Sequence, residues 1–342
     1  MTNPSIPLCM IVKNEASFIE QCLNSAKDLV DEMIIVDTGS TDETINICKN
    51  FNAQIYNYEW NNHFADARNF GLDKAKGDWI LWIDADEKLD CNKQQLIKDT
   101  ISQTKASMIF LPVINYYGDK LPANTDQAYI YYQPRLFKNN IGIKFYNRIH
   151  ETPLLPQDNS SEENKKYIEA PVHHYGYLKE ITNREEKSKR NFQLLKEELN
   201  DPDHSPWIEY HLASEYYRNQ DYETAFELLN QSIFNFLLQG IKPPAMLYRL
   251  KYTILVETNS FDGAWPGIDK AIELYPDYVD LHYIKGVILF FKKKYTEAVA
   301  AFEKCLELGE SHTKYLITKG FGSFKAQHFK DLCLEKLDKQ KN

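Results

Sequence analysis

Residues 80–90 read ILWIDADEKLD and follow Gly77-Asp78-Trp79. An apolar run suited to a buried strand ends there in Asp84, Asp86, Glu87 and Asp90, four carboxylates that repel one another unless something positive holds them. Taken alone, two acids two residues apart after a strand are most often a solvated turn. At a strand end that faces a ligand, the same spacing lets one carboxylate address the ligand and the other a divalent cation shared with it.

Outward from that stretch, 6–12 (IPLCMIV), 32–37 (EMIIVD), 53–58 (AQIYNY) and 79–83 (WILWI) are short β-prone runs with amphipathic segments between them. Ser40-Thr41-Asp42-Glu43 carries the hydroxyls and carboxylates that cap a helix start. Repeated β–α units with short connections predict an α/β domain: a mainly parallel sheet, helices on both faces, and ligands at the C-terminal ends of the strands. The acids of 84–90 stand at such an end, Asp37-Thr38-Gly39 at a second, and Val12-Lys13-Asn14-Glu15 at a third. Asp37 can accept from a nucleobase amide N–H while Gly39 permits a tight turn; the plainer alternative is a capped strand-to-helix turn. From 106 to 174 the aromatic pieces SMIFLPVINYY, AYIYYQPRLF and IKFYNRIHE predict further strands beside the sheet, able to wall an acceptor site. The charged segment 178–200 reads as a helix leading out of that domain.

The chain has 342 residues, 43% hydrophobic and 26% charged, which fits a globular protein of one large or two moderate domains. A net charge of −9 argues against nucleic-acid binding, and an anionic small molecule would need a local cation. No stretch approaches a membrane span, and MTNPSIPLCMIVKNE lacks the basic start and long apolar segment of an export signal, so a cytoplasmic location is expected. Six scattered cysteines without a C-x-x-C pair suggest neither a zinc module nor a disulfide framework.

The last third repeats. Phe261, Ala264, Ile268 and Ala271 align with Tyr295, Ala298, Phe302 and Cys305 at a constant offset of 34, and Tyr222, Ala225, Leu229 and Ser232 show the same spacing 39 residues earlier. A small residue where two helices cross, with a period of 34, resembles tetratricopeptide repeats. Leu212-Ala213 takes the place of the usual Leu-Gly, Gly286 is a true glycine there, and Pro276 fits the stop between repeats. Unrelated helical hairpins are the alternative. The expected division is the α/β domain over 1–178, a connecting helix over 179–204 and an all-α repeat domain over 205–342.

In order along the chain, M-I-V-K-N-E, V-D-T-G-S-T-D, A-D-A-R-N-F-G, G-D-W-I-L-W-I-D-A-D-E, R-L-F, H-E and H-Y-G-Y resemble the family 2 glycosyltransferases of GT-A fold. More narrowly, they are similar to a bacterial subgroup with C-terminal tetratricopeptide repeats that includes peptide S-glycosyltransferases. The resemblance implies a Rossmann-like, mainly parallel sheet with added mixed strands, and an inverting hexosyltransferase. Its donor would be a UDP-sugar carrying a hexose or N-acetylhexosamine, and Mn²⁺ or Mg²⁺ would be its cofactor. It further implies that Asp37 reads the uracil, that Val12, Asn14 and Glu15 line the nucleotide pocket, and that Arg68 lies near the diphosphate or donor sugar. Asp84 and Ala85 would meet the ribose and sugar, and Asp86 would bind the metal. His174 would supply a further metal contact, with His173 as the fallback, since neighbours on a strand point to opposite faces.

Glu151 is the candidate base that takes the acceptor's proton. His150 could orient it or act instead, and a structural salt bridge to Arg148 is the alternative. Glu87 is expected to support the site or orient the acceptor, and Asp90 to cap a helix near Asn92. The expected partners are the UDP-sugar and a peptide or protein acceptor at Cys, Ser or Thr, with a homodimer through the repeats also open. Two further functions compete: transfer to a cell-surface glycan, and a repeat-based binding scaffold with an inactive nucleotide-binding domain. A dinucleotide-dependent oxidoreductase is disfavoured because no G-x-G-x-x-G follows the first strand.

Overall fold

A computed structural model describes residues 4–119, 121–156, 161–178 and 184–341, with side chains apart from those of 184–188 and 341. The chain divides into two compact units, Met1–Asn183 and Arg184–Asn342. The expected boundary after 178 and the first residues of the expected connecting helix, 179–183, lie outside the described residues.

The first unit alternates as the sequence pattern predicts. It runs β1 (Pro7–Val12), α1 (Ile19–Ala26), β2 (Glu32–Asp37), α2 (Thr44–Asn50), β3 (Gln54–Asn57), α3 (Phe64–Leu72), β4 (Trp79–Trp82), β5 (Glu87–Leu89) and α4 (Gln94–Gln103). The aromatic region adds β6 (Met108–Gly118), β7 (Ala128–Lys138), the β8 (Lys144–Tyr146) and β9 (Thr152–Leu154) hairpin, β10 (Lys165–Tyr167) and β11 (Val172–Leu178). The main sheet has the order β3-β2-β1-β4-β7-β6-β11-β5, with β10 also on β6. β3, β2, β1 and β4 are mutually parallel; β7 runs antiparallel to β4 and β6, β11 is parallel to β6, and β5 is antiparallel to β11.

Side chains two apart on a strand share a face, and both faces are covered. Leu8, Met10 and Val12 of β1, with Trp79 and Leu81 of β4, pack among Ile19 and Leu23 of α1 and Ile97 and Ile101 of α4. The intervening Cys9, Ile80 and Trp82 belong to a second cluster with Ala65 of α3 and Phe145 of β8. α1 forms because Ile19, Cys22, Leu23 and Ala26 fall on one buried stripe.

Two local expectations shift. The helix after β2 starts at Thr44 rather than at Ser40, because Asp42 accepts from the Thr44 N–H at 3.0 Å and from the Ala16 N–H at 3.1 Å. Residues 87–89, expected as part of an acidic strand end, pair with β11 as a short strand of their own.

The second unit is almost wholly helical: α5 (Arg184–Leu199), α6 (Trp207–Arg218), α7 (Tyr222–Leu238), α8 (Ala245–Glu257), α9 (Phe261–Ala264), α10 (Ile268–Leu274), α11 (Val279–Phe291), α12 (Tyr295–Leu308) and α13 (Phe324–Lys341). The small residues Ala225, Ala264 and Ala298 are each fully buried, as close helix crossings require. A Cβ at Gly286 would come within 2.6 Å of the Phe302 ring, so α11 and α12 touch through hydrogen there. The 261–274 segment is broken into α9 and α10 at Trp265-Pro266-Gly267, where proline removes an N–H from the helix ladder. No helix among the described residues is long and apolar enough to cross a membrane.

Candidate active site

The loops after β1 and β2 are sewn together. Asn14 takes φ +56°, a left-handed conformation that asparagine tolerates; its Oδ1 accepts from the Thr41 N–H at 2.7 Å and its own N–H donates to Ser40 Oγ at 3.0 Å. The Glu15 N–H donates to Thr44 Oγ1 at 2.7 Å, and the Val12 carbonyl accepts from the Thr38 N–H and hydroxyl at 3.0 and 3.1 Å. Gly39, at φ +103°, turns the chain so that the Ser40 N–H can donate to Asp37 Oδ1 at 3.0 Å. Asp37 is thus buried at the end of β2 and oriented by the turn it opens. The Val12 side chain packs in the core, so only its backbone can face a ligand, and the same holds for Ala85.

Across the sheet end, Arg68 on α3 bridges two acids that are far apart in sequence. Its Nη2 donates to Asp84 Oδ1 at 2.7 Å and its Nε to Glu151 Oε1 at 2.6 Å. The guanidinium lies 4.7 Å from the centre of the Trp82 ring, and its buried Nη1 has no hydrogen-bond partner among the described residues. Burial works against the charge on Asp84, yet Arg68 and, further off, Arg135 hold its carboxyl below the usual carboxylate value. Glu151 therefore pairs with Arg68, a partner the sequence reading did not name in weighing Arg148. Next to it, His150 takes φ +56°.

Asp86 faces His174: Oδ2 and Nε2 are 3.5 Å apart. The ring is oriented from behind by Asn115, whose Oδ1 lies 2.7 Å from Nδ1. The amide of Asn115 is itself fixed, its nitrogen facing the Val113 and Tyr129 carbonyls at 3.3 and 3.5 Å. That arrangement puts a proton on Nδ1, so Nε2 turns a lone pair toward a carboxylate, which is unfavourable unless a proton or a cation lies between them. Although burial opposes it, Asp86 raises the His174 pKa above the ordinary value. His173 points to the other face and bonds Tyr116 at 2.9 Å.

Two donors that share a cation at about 2.1 Å lie about 3.0–3.5 Å apart, so the Asp86–His174 spacing suits a divalent metal. Gly176 keeps the space open: a Cβ there would sit 2.3 Å from Asp86 Oδ2 and 2.6 Å from His174 Nε2. Among the described residues no group of three or more His, Cys, Asp and Glu side chains converges on a metal position.

Glu87 is buried beneath this turn. Its Oε2 accepts from the Asp84 N–H at 2.9 Å, and its Oε1 from Arg135 Nη2 of β7. Asp90 caps the short turn that follows, accepting from the Asn92 N–H at 3.0 Å. The sequence reading assigned no role to Arg135, Asn115 or Gly176. Arg135 lay inside the quoted R-L-F and Gly176 inside H-Y-G-Y, and an asparagine amid the apolar run of β6 was the only signal for Asn115.

Comparison with known proteins gives a consistent family. The model for glycosyl transferase family 2 matches residues 8–155, and a tetratricopeptide repeat model matches 279–312. The SPbeta prophage-derived glycosyltransferase SunS of Bacillus subtilis is 30% identical over 295 residues, covering 84% of this chain and 67% of that protein. A TPR repeat-containing protein of Synechococcus elongatus is 31% identical over 278 residues, covering 79% of this chain and 64% of its own. The chain thus spans about two thirds of the length of these relatives. Among solved structures, S. aureus TarS 1–349 in complex with UDP-GlcNAc aligns over 73% of this chain and 85% of that one, at 14% identity and a TM-score of 0.41, a distance at which it informs neither donor nor acceptor.

Proposed function

The chain belongs to glycosyltransferase family 2, with a GT-A unit and tetratricopeptide repeats, and from that premise we propose that it transfers a hexose or N-acetylhexosamine from a UDP-sugar to a Cys, Ser or Thr side chain of a peptide or protein. The transfer proceeds with inversion and uses Mn²⁺ or Mg²⁺. The observation that carries the reading is the gathering of Asp84, Asp86, Arg68, Glu151 and His174 at one end of the sheet, with Gly176 leaving room between Asp86 and His174.

In this proposal Asp37 accepts from the uracil N–H, and the sewn loops carrying Val12, Asn14 and Glu15 frame the base through backbone groups. Arg68 Nη1, a buried donor without a partner among the described residues, meets the donor's diphosphate or sugar. Asp84 addresses the ribose and sugar. Asp86 and His174 would hold the cation, which would supply charge neutralisation on the departing UDP. Arg68 engages Glu151 Oε1, leaving Oε2 as the oxygen that receives the acceptor's proton as the acceptor attacks the anomeric carbon from the face opposite UDP. The helical repeats would recruit a polypeptide acceptor or join two subunits, since stacked repeats present extended surfaces suited to either.

The test is a panel of UDP-sugars assayed by donor hydrolysis and thermal shift with and without Mn²⁺, with Asp86→Ala as control. Metal-dependent binding of at least one donor, lost in the control, is expected. If no UDP-sugar binds in a metal-dependent way, the reading fails.

A further inference from the structure

Beneath the Asp84–Asp86 turn lies an ion pair that the proposed chemistry does not use. Glu87 and Arg135 are both buried, with side chains 2% and 3% exposed. Glu87 closes the turn reciprocally: its carboxylate accepts from the Asp84 N–H at 2.9 Å, and its own N–H donates to the Asp84 carbonyl at 3.0 Å. In the β5–β11 register the same residue stands opposite His174. The turn that presents Asp84 and Asp86 is therefore tied to one buried carboxylate, and the backbone of the same residue pairs with the strand that carries His174.

That carboxylate depends on a cation delivered from another strand. The β6–β7 register shifts between Ile109 and Phe110, and Arg135 falls in the irregular stretch of β7 between Pro134, opposite Phe110, and Leu136, opposite Ile109. Its guanidinium lies 4.0 Å from the centre of the Trp82 ring, and Nη2 meets Glu87 Oε1. Its Nε and Nη1 are buried without a hydrogen-bond partner among the described residues, so its hydrogen bonding there is to Glu87, while its charge also reaches Asp84. Arg68, in contrast, touches Asp84 and Glu151 directly.

We infer that Arg135 is a positioning residue: through Glu87 it sets the turn from which Asp84 and Asp86 reach the donor diphosphate and its metal. The inference rests on the donor-and-metal reading above and adds to it a residue that touches neither. A buried carboxylate stripped of its cation must take up a proton, draw in water or move, and each of these loosens the Asp84 N–H that it fixes. Residues that orient metal ligands without touching the metal typically contribute about 10–100-fold to metal affinity.

The experiment measures UDP binding to the full chain by calorimetry, with and without Mn²⁺, and Mn²⁺ binding by electron paramagnetic resonance. Arg135→Met is expected to weaken Mn²⁺-dependent UDP binding about 10–100-fold, with a larger loss in the presence of Mn²⁺ than in its absence. Glu87→Gln is expected to weaken it about tenfold, and Arg135→Met with Glu87→Gln to lose no more than Arg135→Met alone, since both cut one link. Wild-type affinity in Arg135→Met, or an equal loss with and without metal, overturns the inference. So does a double variant whose loss is the product of the single losses, which would place the Arg135 N–H groups on the ligand itself. Should Arg135→Met not fold, Glu87→Gln decides alone, and wild-type affinity there breaks the link. If the wild-type chain shows no Mn²⁺-dependent UDP binding, the donor reading falls and takes this inference with it.

Discussion

Gly176→Ala tests the metal position with a single carbon. The new Cβ would lie 2.3 Å from Asp86 Oδ2 and 2.6 Å from His174 Nε2, where ordinary contact begins at 3.4 Å. One or both side chains must retreat by about 1 Å. The imidazole does not retreat freely, because Asn115 holds its far side at 2.7 Å, so the Asp86 carboxylate takes up the shift by turning away from it. Two donors set to share a cation at about 2.1 Å cannot both keep that distance after such a shift, and the expected loss in Mn²⁺ affinity is about 10–100-fold. Stability should fall by the ordinary cost of overpacking, about 1–3 kcal/mol. Gly286→Ala is the matched control: its Cβ meets Phe302 at 2.6 Å in the second unit, so it should lower the melting temperature without altering the metal response. The assay is donor hydrolysis titrated with Mn²⁺ for wild type and both variants, alongside thermal unfolding. A Gly176→Ala protein with the wild-type Mn²⁺ curve would show that Asp86 and His174 do not share a cation.

Glu151→Gln should lower transfer by about 10²–10⁴-fold while donor binding stays within a few-fold, measured by steady-state kinetics beside UDP-sugar calorimetry; unchanged turnover removes Glu151 as base. Arg68→Met leaves Asp84 and Glu151 without their cation and should destabilise the first unit by about 3–5 kcal/mol, seen as a lower denaturant midpoint; a change within experimental error would mean that water replaces the bridge at no cost. Two histidines of the second unit should titrate on opposite sides of 6.5. Burial pushes His282 below that value, whereas His204, although burial opposes it, is raised by its bonds to Glu209 and the Asp201 carbonyl. His282 therefore contributes stability that is complete above 6.5 and is lost as pH falls through its folded pKa. His204 contributes stability that is complete below 6.5 and is lost as pH rises through its own. The melting difference between wild type and His204→Gln should shrink above 6.5, and ring-proton titration by NMR showing His204 below His282 would reverse the assignment.

The parallel half of the first unit was legible because its signals are local. Leu8, Met10 and Val12 alternate with Cys9, each strand is followed within a few residues by a helical stripe, and polar groups appear where each strand ends. The repeat was legible for the same reason, since Ala264 and Ala298 recur at fixed spacing and both are fully buried. The fixed spacing does not show the break at Pro266, where a residue without an N–H divides the segment into two helices. Asp42, one of the capping candidates in 40–43, meets the Thr44 N–H at the start of α2, and it also takes the Ala16 N–H, a partner that no window on residues 40–46 contains.

The supports of the site lay beyond the sequence for a reason of the same kind. Arg68 meets Glu151 across 83 positions, Arg135 meets Glu87 across 48, and Asn115 meets His174 across 59, and each of these pairings depends on tertiary packing that no periodicity encodes. They also change the meaning of the acid pile in ILWIDADEKLD. Repulsion among the carboxylates pointed to an absent cation for the whole group, yet the protein answers most of them itself. Asp84 and Glu151 meet Arg68, Glu87 meets Arg135, and Asp90 turns away to cap Asn92. Asp86 differs in kind, because what faces it is an imidazole whose Nε2 carries charge only when a proton sits there. The place of the proposed cation therefore narrows from the surroundings of four carboxylates to the space between Asp86 and His174, the same space that the missing side chain of Gly176 keeps clear.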